Sequence, residues 1–483
     1  MYLGIDLGTS SIKILMMDGD QTIIGSASAP LNVKRPHSGW SEQEPADWER
    51  ACDSAFQQLK AAFSKQMADV KGIGFSGQMH GATLLDQSGK VLRPCMLWND
   101  TRSHKEAAEL DAIASFRAIS GNIVFPGFTA PKLLWIKNHE PEVFAKIAKV
   151  LLPKDYLRYW LSGEFVSEMS DASGTSWLDV GKRQWSDELL ASSGMQRDQM
   201  PELVEGSAVS GYLKNELAQR WGMGKNIILA GGAGDNAASA IGMGTVEAGN
   251  AFVSLGTSGV LFAANDTYLP NPESAVHAFC HAVPNKWHQM GVILSATDSL
   301  NWLANLVAQP ADKLTNSLGI DLKAPRNVTF LPYLSGERTP HNDANIRGMF
   351  HGLEHASDQS ALVQAVLEGV AFALKDNMQA LEKAGTRLER VTAVGGGSRS
   401  LYWLKAIATA LNIPVDIPAD SDFGAAFGAA RLGLMAAENR SVSQTCGPPQ
   451  INKTVFPDSS LVSAFEHAHQ RYQRLYTVNK NIQ

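Results

Sequence analysis

Gly4-Ile5-Asp6-Leu7-Gly8-Thr9-Ser10 closes an apolar run that begins at Tyr2, and a second apolar run, Ile12 to Met17, follows it. The pattern reads as strand, tight turn, strand. Four of its residues recur as Leu255-Gly256-Thr257-Ser258, between the apolar stretches Ala251 to Val253 and Val260 to Ala264. Two ordinary hairpins would look the same. Position favours a stronger reading, because the copies begin the two halves of the sequence and so suggest two similar domains facing a cleft. A Gly-Thr-Ser turn offers successive backbone N–H groups and two hydroxyls to an anion, and glycine keeps side-chain bulk away from phosphate oxygens. Asp6 stands before the first turn where Ser254 stands before the second. That asymmetry suits one carboxylate serving a magnesium ion, which is commonly held by one or two carboxylates plus phosphate oxygens and water. A strand-end Asp is also a common turn former.

The chain of 483 residues is too long for one hydrophobic core, so two large domains or three ordinary ones are expected. Its 44% hydrophobic and 19% charged content excludes disorder and coiled coil. A net charge of −6, with no long run of one sign, gives no basic stripe for nucleic acid or a membrane surface. Cys52, Cys95, Cys280 and Cys446 form no C-x-x-C pair, so a reducing compartment is expected and neither a disulfide framework nor a zinc finger is indicated. The first residues include Asp6 and no basic leader, and charges interrupt the apolar stretches. The expectation is a soluble, cytoplasmic protein that neither spans nor is secreted.

An α/β pattern fills both halves. Pro45 to Lys65 carries Trp48, Cys52, Phe56, Leu59 and Phe63 at helical spacing, Val70 to Phe75 reads as a strand, and 226–230 is a short buried strand ending in Gly231-Gly232-Ala233-Gly234-Asp235. In the second half, 364–380 reads as a helix, 388–394 as a strand, Gly395-Gly396-Gly397 as a turn and 400–411 as a helix. No Pro- or Ser-rich linker separates the halves, so the boundary is placed in 241–250, giving domains 1–245 and 246–483. Gly424 and Gly428 with Ala429-Ala430 suggest a helix pressed closely on a neighbour, and Asp422 and Arg431 keep that stretch far too short to cross a membrane. Residues 459–476 read as a terminal amphipathic helix.

Other nucleotide signatures are weaker. The Gly-Lys pairs are followed by Val91, Arg183 and Asn226, so no Walker A loop exists. Gly232 to Ala237 satisfies G-x-G-x-x-A, but no acid ends a following strand at the required distance. Asp235 has two readings: a cap for the short helix 236–241, or a base that accepts a hydroxyl proton, with the helix dipole lowering its pKa. In His277 to His281, strand alternation turns Cys280 away from both histidines, so a three-ligand zinc site is not expected. His37 reads as a loop residue. His80 follows a buried strand at its C-terminal end, where α/β ligands bind, although a satisfied core histidine would look alike. Trp98-Asn99-Asp100-Thr101-Arg102 combines an aromatic face with amide, carboxylate and guanidinium, a composition suited to a sugar.

Taken together, Gly4 to Ser10, Gly232-Ala233-Gly234-Asp235-Asn236, Leu255-Gly256-Thr257-Ser258-Gly259 and Gly395-Gly396-Gly397-Ser398 resemble the FGGY family of carbohydrate kinases. Gly127-Phe128-Thr129-Ala130-Pro131-Lys132-Leu133-Leu134-Trp135 resembles one of its signatures. The resemblance runs in order over the chain, short only of its C-terminal end. It implies an α/β fold of two actin-like ATPase (ribonuclease H-like) domains facing a catalytic cleft, with sugar binding in the first and adenosine binding in the second. ATP and a small-molecule sugar are the implied partners and Mg²⁺ the implied cofactor. By resemblance Asp235 accepts the hydroxyl proton, and Gln78, Met79, His80, Trp98, Asn99, Asp100 and Asp235 contact the sugar. Asp6 acts on Mg²⁺, while Gly8, Thr9, Ser10, Lys13, Gly256, Thr257, Ser258, Gly396, Gly397 and Ser400 lie around ATP.

Within the family, 76–82, 97–100, Pro153-Lys154-Asp155-Tyr156 and 334–341 look like the members that phosphorylate D-xylulose in pentose catabolism. Glycerol kinases would carry an Arg-Glu pair where Met79-His80 stands. A kinase for L-ribulose or an alditol, a silent sugar-binding regulator and a chaperone-like ATPase are the alternatives. Asp6 and Asp235 argue against silence, and no stretch is left for a peptide-binding domain. Two departures from the family pattern are Ser11, where glycine is usual, and Ala361, where a polar residue is expected. Neither nucleic acid nor membrane is an expected partner, and a homodimer is compatible with the sequence.

Overall fold

The computed structural model describes residues 1–419 and 424–482, which fall into two compact units. The described parts of the first are 1–246, 279–287 and 424–448; those of the second are 247–278, 288–419 and 449–482. A single boundary at 245/246 therefore describes the N-terminal stretch and misses two returns of the chain to the first unit.

The first unit is built on the opening hairpin. Tyr2–Leu7 pairs antiparallel with Ser11–Met17, and the Gly8 N–H donates to Ser11 O at 3.0 Å to close the turn. Ile23–Pro30 extends this meander on one side. On the other, Gly72–Gly77 and then Ile228–Ala230 run parallel to the first strand, and Val209–Tyr212 forms the antiparallel edge. Strand alternation gives Tyr2–Leu7 two faces. Leu3, Ile5 and Leu7 bury against helix Pro45–Ala62, whose Trp48, Cys52, Phe56 and Leu59 form its apolar stripe and whose first turn carries Pro45 and Asp47.

The other face carries Gly4, and it receives helix Ala425–Glu438. A Cβ on Gly4 would lie 1.8 Å from the Ala426 carbonyl oxygen, and one on Gly74, its parallel neighbour, 1.8 Å from that of Ala429. The helix thus rests on the sheet backbone to backbone, which is why 424–448 folds with residues so distant in sequence. Its own Gly428 meets helix Asp235–Met243 in the same way, a Cβ there falling 1.8 Å from Ala238 O. The close packing expected of this segment is therefore present at Gly428, whereas a Cβ on Gly424 would meet nothing within 4 Å and Asp422 lies outside the described residues. Arg431 donates to Ile241 O at 2.8 Å and Gly242 O at 3.1 Å, placing a cation on the carbonyl end of helix Asp235–Met243.

The second unit repeats the plan. Asn250–Leu255 and Gly259–Asn265 form the hairpin; Arg390–Val394 and Val415–Pro418 follow in parallel, and Ile451–Val455 is the antiparallel edge. His277–Cys280 and Trp287–Ile293 lie at the opposite end of the sheet order. Helix Gln359–Lys383 is largely buried and begins with Asp358, whose carboxylate accepts the Ala361 N–H at 2.8 Å. Ala361 is itself buried, so this departure from the family pattern concerns packing. Leu401–Leu411 and the terminal helix Val462–Ile482, longer than its sequence pattern suggested, complete the core. All four cysteines are buried and free. Among the described residues no helix is long and apolar enough to cross a membrane.

Gly428→Ala should lower the unfolding free energy by about 3 kcal/mol, the upper range for overpacking a backbone contact, read as a fall in the urea midpoint. A second prediction concerns Glu337, whose Oε1 accepts the N–H groups of Leu294 and Arg338 at 3.0 and 2.8 Å and whose pKa burial pushes up to about 8. Between the ordinary value of 4.5 and about 8 the folded chain holds a proton that the unfolded chain releases, so this contribution is complete below 4.5 and is lost as pH rises. Urea unfolding at pH 5 and pH 8 should show stability falling with pH, and Glu337→Gln should make that fall shallower, on the order of 1 kcal/mol per pH unit at most.

Candidate active site

Three parallel strand ends lie abreast in the first unit. Asp6 is in register with Ser76 and Ser76 with Ala233; one step on, Leu7, Gly77 and Gly234 are aligned. The residues that follow are the Gly8 turn, Gln78 and Asp235, so the chain delivers them to the carboxyl edge of the sheet, where α/β proteins bind ligands. Asp6 is half-buried, and its Oδ1 accepts the Ser76 hydroxyl at 2.8 Å. Burial holds its carboxyl above the ordinary range, although Ser76 and the cross-strand Lys13 oppose this.

Asp235 is the first residue of its helix, which begins one residue earlier than expected and extends to Met243. Its Oδ1 accepts the Asn236 N–H at 2.7 Å and Asn236 Nδ2 at 3.0 Å. Its Oδ2 accepts no hydrogen bond among the described residues. The capping and base readings are thus compatible, one oxygen for each. Contrary to the lowering expected from the helix dipole, burial and then the negative charge of Asp6 push the Asp235 pKa up to about 6. The Asn236 contacts oppose the rise without cancelling it.

Met79 and His80 stand beside this edge. His80 adopts the left-handed backbone region, φ 69°, which is costly for a residue with a side chain. Its carbonyl is held there by Lys132 Nζ at 2.9 Å and Thr129 Oγ1 at 3.2 Å, and the same Lys132 donates to Gly127 O at 2.6 Å. Two residues of the family signature therefore act as a clamp on the histidine loop. Burial pushes the Lys132 pKa down to about 7. The His80 ring stacks on Phe128, with centroids 4.5 Å apart, and Nδ1 lies 2.7 Å from Gly174 O. A carbonyl can only accept, so Nδ1 carries the proton.

Gln78 and Trp98 meet the first turn at Thr9. Gln78 Nε2 donates to Gln43 Oε1 at 3.0 Å and Gln78 Oε1 accepts the Thr9 hydroxyl at 3.3 Å, while Trp98 Nε1 donates to Thr9 Oγ1 at 3.0 Å. The Thr9 hydroxyl is thus engaged on both sides, and the turn offers chiefly its backbone N–H groups. Asp100 is fully buried: Arg102 and the Ser41 N–H, at 2.7 Å, take up its carboxylate. Its expected place among the sugar contacts is corrected to a structural one, because an ion pair sealed from solvent has no oxygen left for a ligand. Trp98 remains 49% exposed, and Asn99 Oδ1 is buried with no hydrogen-bond partner among the described residues.

In the second unit, a cavity of about 490 Å³ is lined by Thr297, Asn301, Asp312, Gly396, Ser400 and Trp403 among others. It is large enough for a nucleoside. Gly397 lines it too, so three expected nucleotide residues meet here. Gly256 and Thr257 adjoin the start of helix Thr297–Leu306, where Thr297 and Ala296 donate to their carbonyls at 2.9 and 2.8 Å. Thr257 and Ser258 are exposed at the hairpin tip. The sequence reading missed Ser76, Gln43, Asn301, Asp312 and Gly174; only the Ser173-Gly174-Thr175 cluster carried a turn signal that could have drawn attention.

Comparison with known proteins agrees with this geometry. Residues 1–242 match the N-terminal domain of the FGGY family of carbohydrate kinases, and residues 251–437 match its C-terminal domain. The chain is 47% identical to a xylulose kinase of Escherichia coli (strain K12), over 99% of this chain and 98% of that one. Among solved structures it is similar to a xyloylose kinase from Brucella ovis, at 62% identity with TM-score 0.99 and full coverage of both chains. A xylulose kinase from Rhodospirillum rubrum matches at 28% identity and TM-score 0.93, covering 100% of this chain and 99% of that one. With two like sheets that each open on a Gly-Thr-Ser hairpin, both family domains matched in order and full-length relatives at this identity, the chain belongs to the FGGY family of carbohydrate kinases, enzymes of the actin-like ATPase fold.

Proposed function

We propose that this enzyme transfers the γ-phosphoryl group of ATP to the terminal hydroxyl of D-xylulose, giving D-xylulose 5-phosphate and ADP. The observation that carries this reading is the Asp235 carboxylate. It stands at the start of its helix with one oxygen on Asn236 and the other accepting nothing among the described residues, in the row of strand ends that holds Asp6 and next to Met79, which packs against Gly234. The choice of acceptor is supported by the names of the relatives and by Met79-His80 in place of a charged pair.

In the transfer, the hydroxyl oxygen bonds to the γ-phosphorus as the bond from that phosphorus to the bridging oxygen breaks. ADP leaves with the electron pair, and the hydroxyl proton passes to Asp235 Oδ2. A loose transition state asks more for placement and charge stabilisation than for a strong base, so a carboxylate of raised but moderate pKa suffices. Met79 and His80 form the wall against which the sugar lies. In the first unit the backbone N–H groups of the Gly8–Ser10 turn and Lys13 are donors suited to phosphate oxygens; in the second, the Gly256–Ser258 turn offers donors of the same kind and the 490 Å³ cavity has room for an adenosine.

Mg²⁺ fits the Asp6 position. Its Oδ1 is steadied by Ser76, and its Oδ2 accepts no hydrogen bond among the described residues. Magnesium is commonly held by one or two carboxylates, with phosphate oxygens and water completing its shell, so Asp6 would supply the protein ligand. When bound, the ion neutralises charge on the phosphate oxygens.

ADP release in a coupled assay over D-xylulose, L-ribulose, D-ribulose, glycerol and gluconate should give a kcat/KM for D-xylulose at least about 100-fold above that for glycerol. Equal values would sink the substrate assignment. Asp235→Asn should lower kcat by roughly 100-fold to 10,000-fold while ATP binding, measured by calorimetry, persists. Near-normal turnover would return Asp235 to a capping role alone.

A further inference from the structure

Residues 168–174 touch neither phosphate nor metal in the reading above, yet both parts of the acceptor site hang on them. Ser170 Oγ accepts the Gly234 N–H at 3.1 Å, one residue before Asp235, and donates to Glu168 Oε1 at 3.0 Å. Glu168 caps the short helix Met169–Ala172 by accepting the N–H groups of Ser170 and Asp171 at 2.7 and 2.8 Å. Behind it, Lys154 Nζ lies 2.7 Å from Asp155, 3.3 Å from Glu168 and 3.1 Å from Asp171, all fully buried. Asp155 also holds Arg158 at 3.0 Å, and Arg158 donates to the Gly231 carbonyl. The Gly231–Gly234 turn that presents Asp235 is therefore held at both ends.

Four residues beyond Ser170, Gly174 supports the other part. Its carbonyl takes the His80 Nδ1 proton, and a Cβ on it would lie 2.4 Å from His80 Cε1 and 3.1 Å from Met79 Cε. Met79 also abuts the Asp235 turn, since a Cβ on Gly234 would fall 2.8 Å from its sulfur. One buried segment thus touches the histidine loop through Gly174 and the aspartate turn through Ser170.

We propose that Ser170 and Gly174 are positioning residues of phosphoryl transfer: the segment they share sets the separation between His80, against the sugar, and Asp235, which takes the hydroxyl proton. The proposal rests on the assignment of Asp235 made above. The charged residues beneath are poor probes, because removing one leaves an uncompensated buried charge and destabilises the whole unit. Ser170 is neutral, and its loss removes one acceptor from the Gly234 amide and one of the several donors on Glu168.

Ser170→Ala should lower kcat for D-xylulose about 100-fold, the effect of a misplacement near 1 Å, with KM for ATP unchanged and faster hydrogen exchange in a peptide spanning 231–236. Ser170→Thr, which keeps a hydroxyl acceptor, should stay within about threefold of the parent kcat. Gly174→Ala, which displaces His80, should raise KM for D-xylulose about tenfold while KM for ATP holds. An unchanged kcat per folded molecule in Ser170→Ala overturns the proposal, as does an equal loss in Ser170→Thr. If Ser170→Ala does not fold, a Ser170→Thr variant at parent activity together with the sugar-only KM rise of Gly174→Ala supports it, and a shared rise in both KM values overturns it. Asp235→Asn is measured alongside: substantial turnover there fails the assignment of the base, whereas an inactive Asp235→Asn beside a normal Ser170→Ala fails only the positioning proposal.

Discussion

Main-chain contact between helix Ala425–Glu438 and the strands Tyr2–Leu7 and Gly72–Gly77 governs the first unit. Gly4 and Gly74 are in register, and the helix lies so low on them that any side chain would strike its carbonyl oxygens. Strand alternation then has a functional consequence. Asp6 and Ser76 lie two residues beyond these glycines and therefore share their face. The face is covered by helix where it is glycine and bears the carboxylate and hydroxyl where it ends. The same helix meets Asp235–Met243 through Gly428 and closes its carbonyl end with Arg431. Both carboxylates of the site are consequently referred to one element, and close approach, more than apolar bulk, sets their places.

Charge is apportioned by what surrounds it. Asp100 is matched by Arg102, whose guanidinium also lies 3.5 Å above the Trp40 ring, and that pair fixes a loop. Asp6 and Asp235 face the opposite circumstance, each raised by burial, with Asp6 adding to the rise at Asp235. Two carboxylates that repel each other are a poor choice for stability, which fits the cation and proton roles proposed for them. In the proposed reading backbone donors at the hairpins serve anions without a basic surface, which is consistent with a mildly acidic chain.

The hairpins and most flanking elements were legible in the sequence because their signals are local. A Gly-Thr-Ser turn between two apolar runs has few alternatives, and the stripe Trp48, Cys52, Phe56, Leu59 states a helix outright. Asp6, Asp235 and His80 were legible as candidates for the same reason, each following a strand. The role of Asp100 was not, since its partner Arg102 is two residues away and the same composition serves a sugar or an ion pair. Nor was the sign of the Asp235 shift, which depends on burial and on a residue 229 positions earlier. Ser170 escaped notice because a small residue carries no pattern of its own, and the turn signal around Gly174 gave no hint of the His80 ring that lies against it.

The glycine bed has a further consequence, for the order of events during synthesis. The strand at residues 2–7 leaves the ribosome long before the helix that covers Gly4, which ends at Glu438. At typical elongation rates the sheet waits on the order of tens of seconds for its cover. Through that interval one face of the nascent sheet is narrow, poorly shielded backbone, and most of the second unit's residues are synthesised before the cover is. Vectorial folding therefore cannot complete this domain from its N-terminus forward. Its cooperative unit is closed late, by a helix more than 400 residues downstream of the strand it covers.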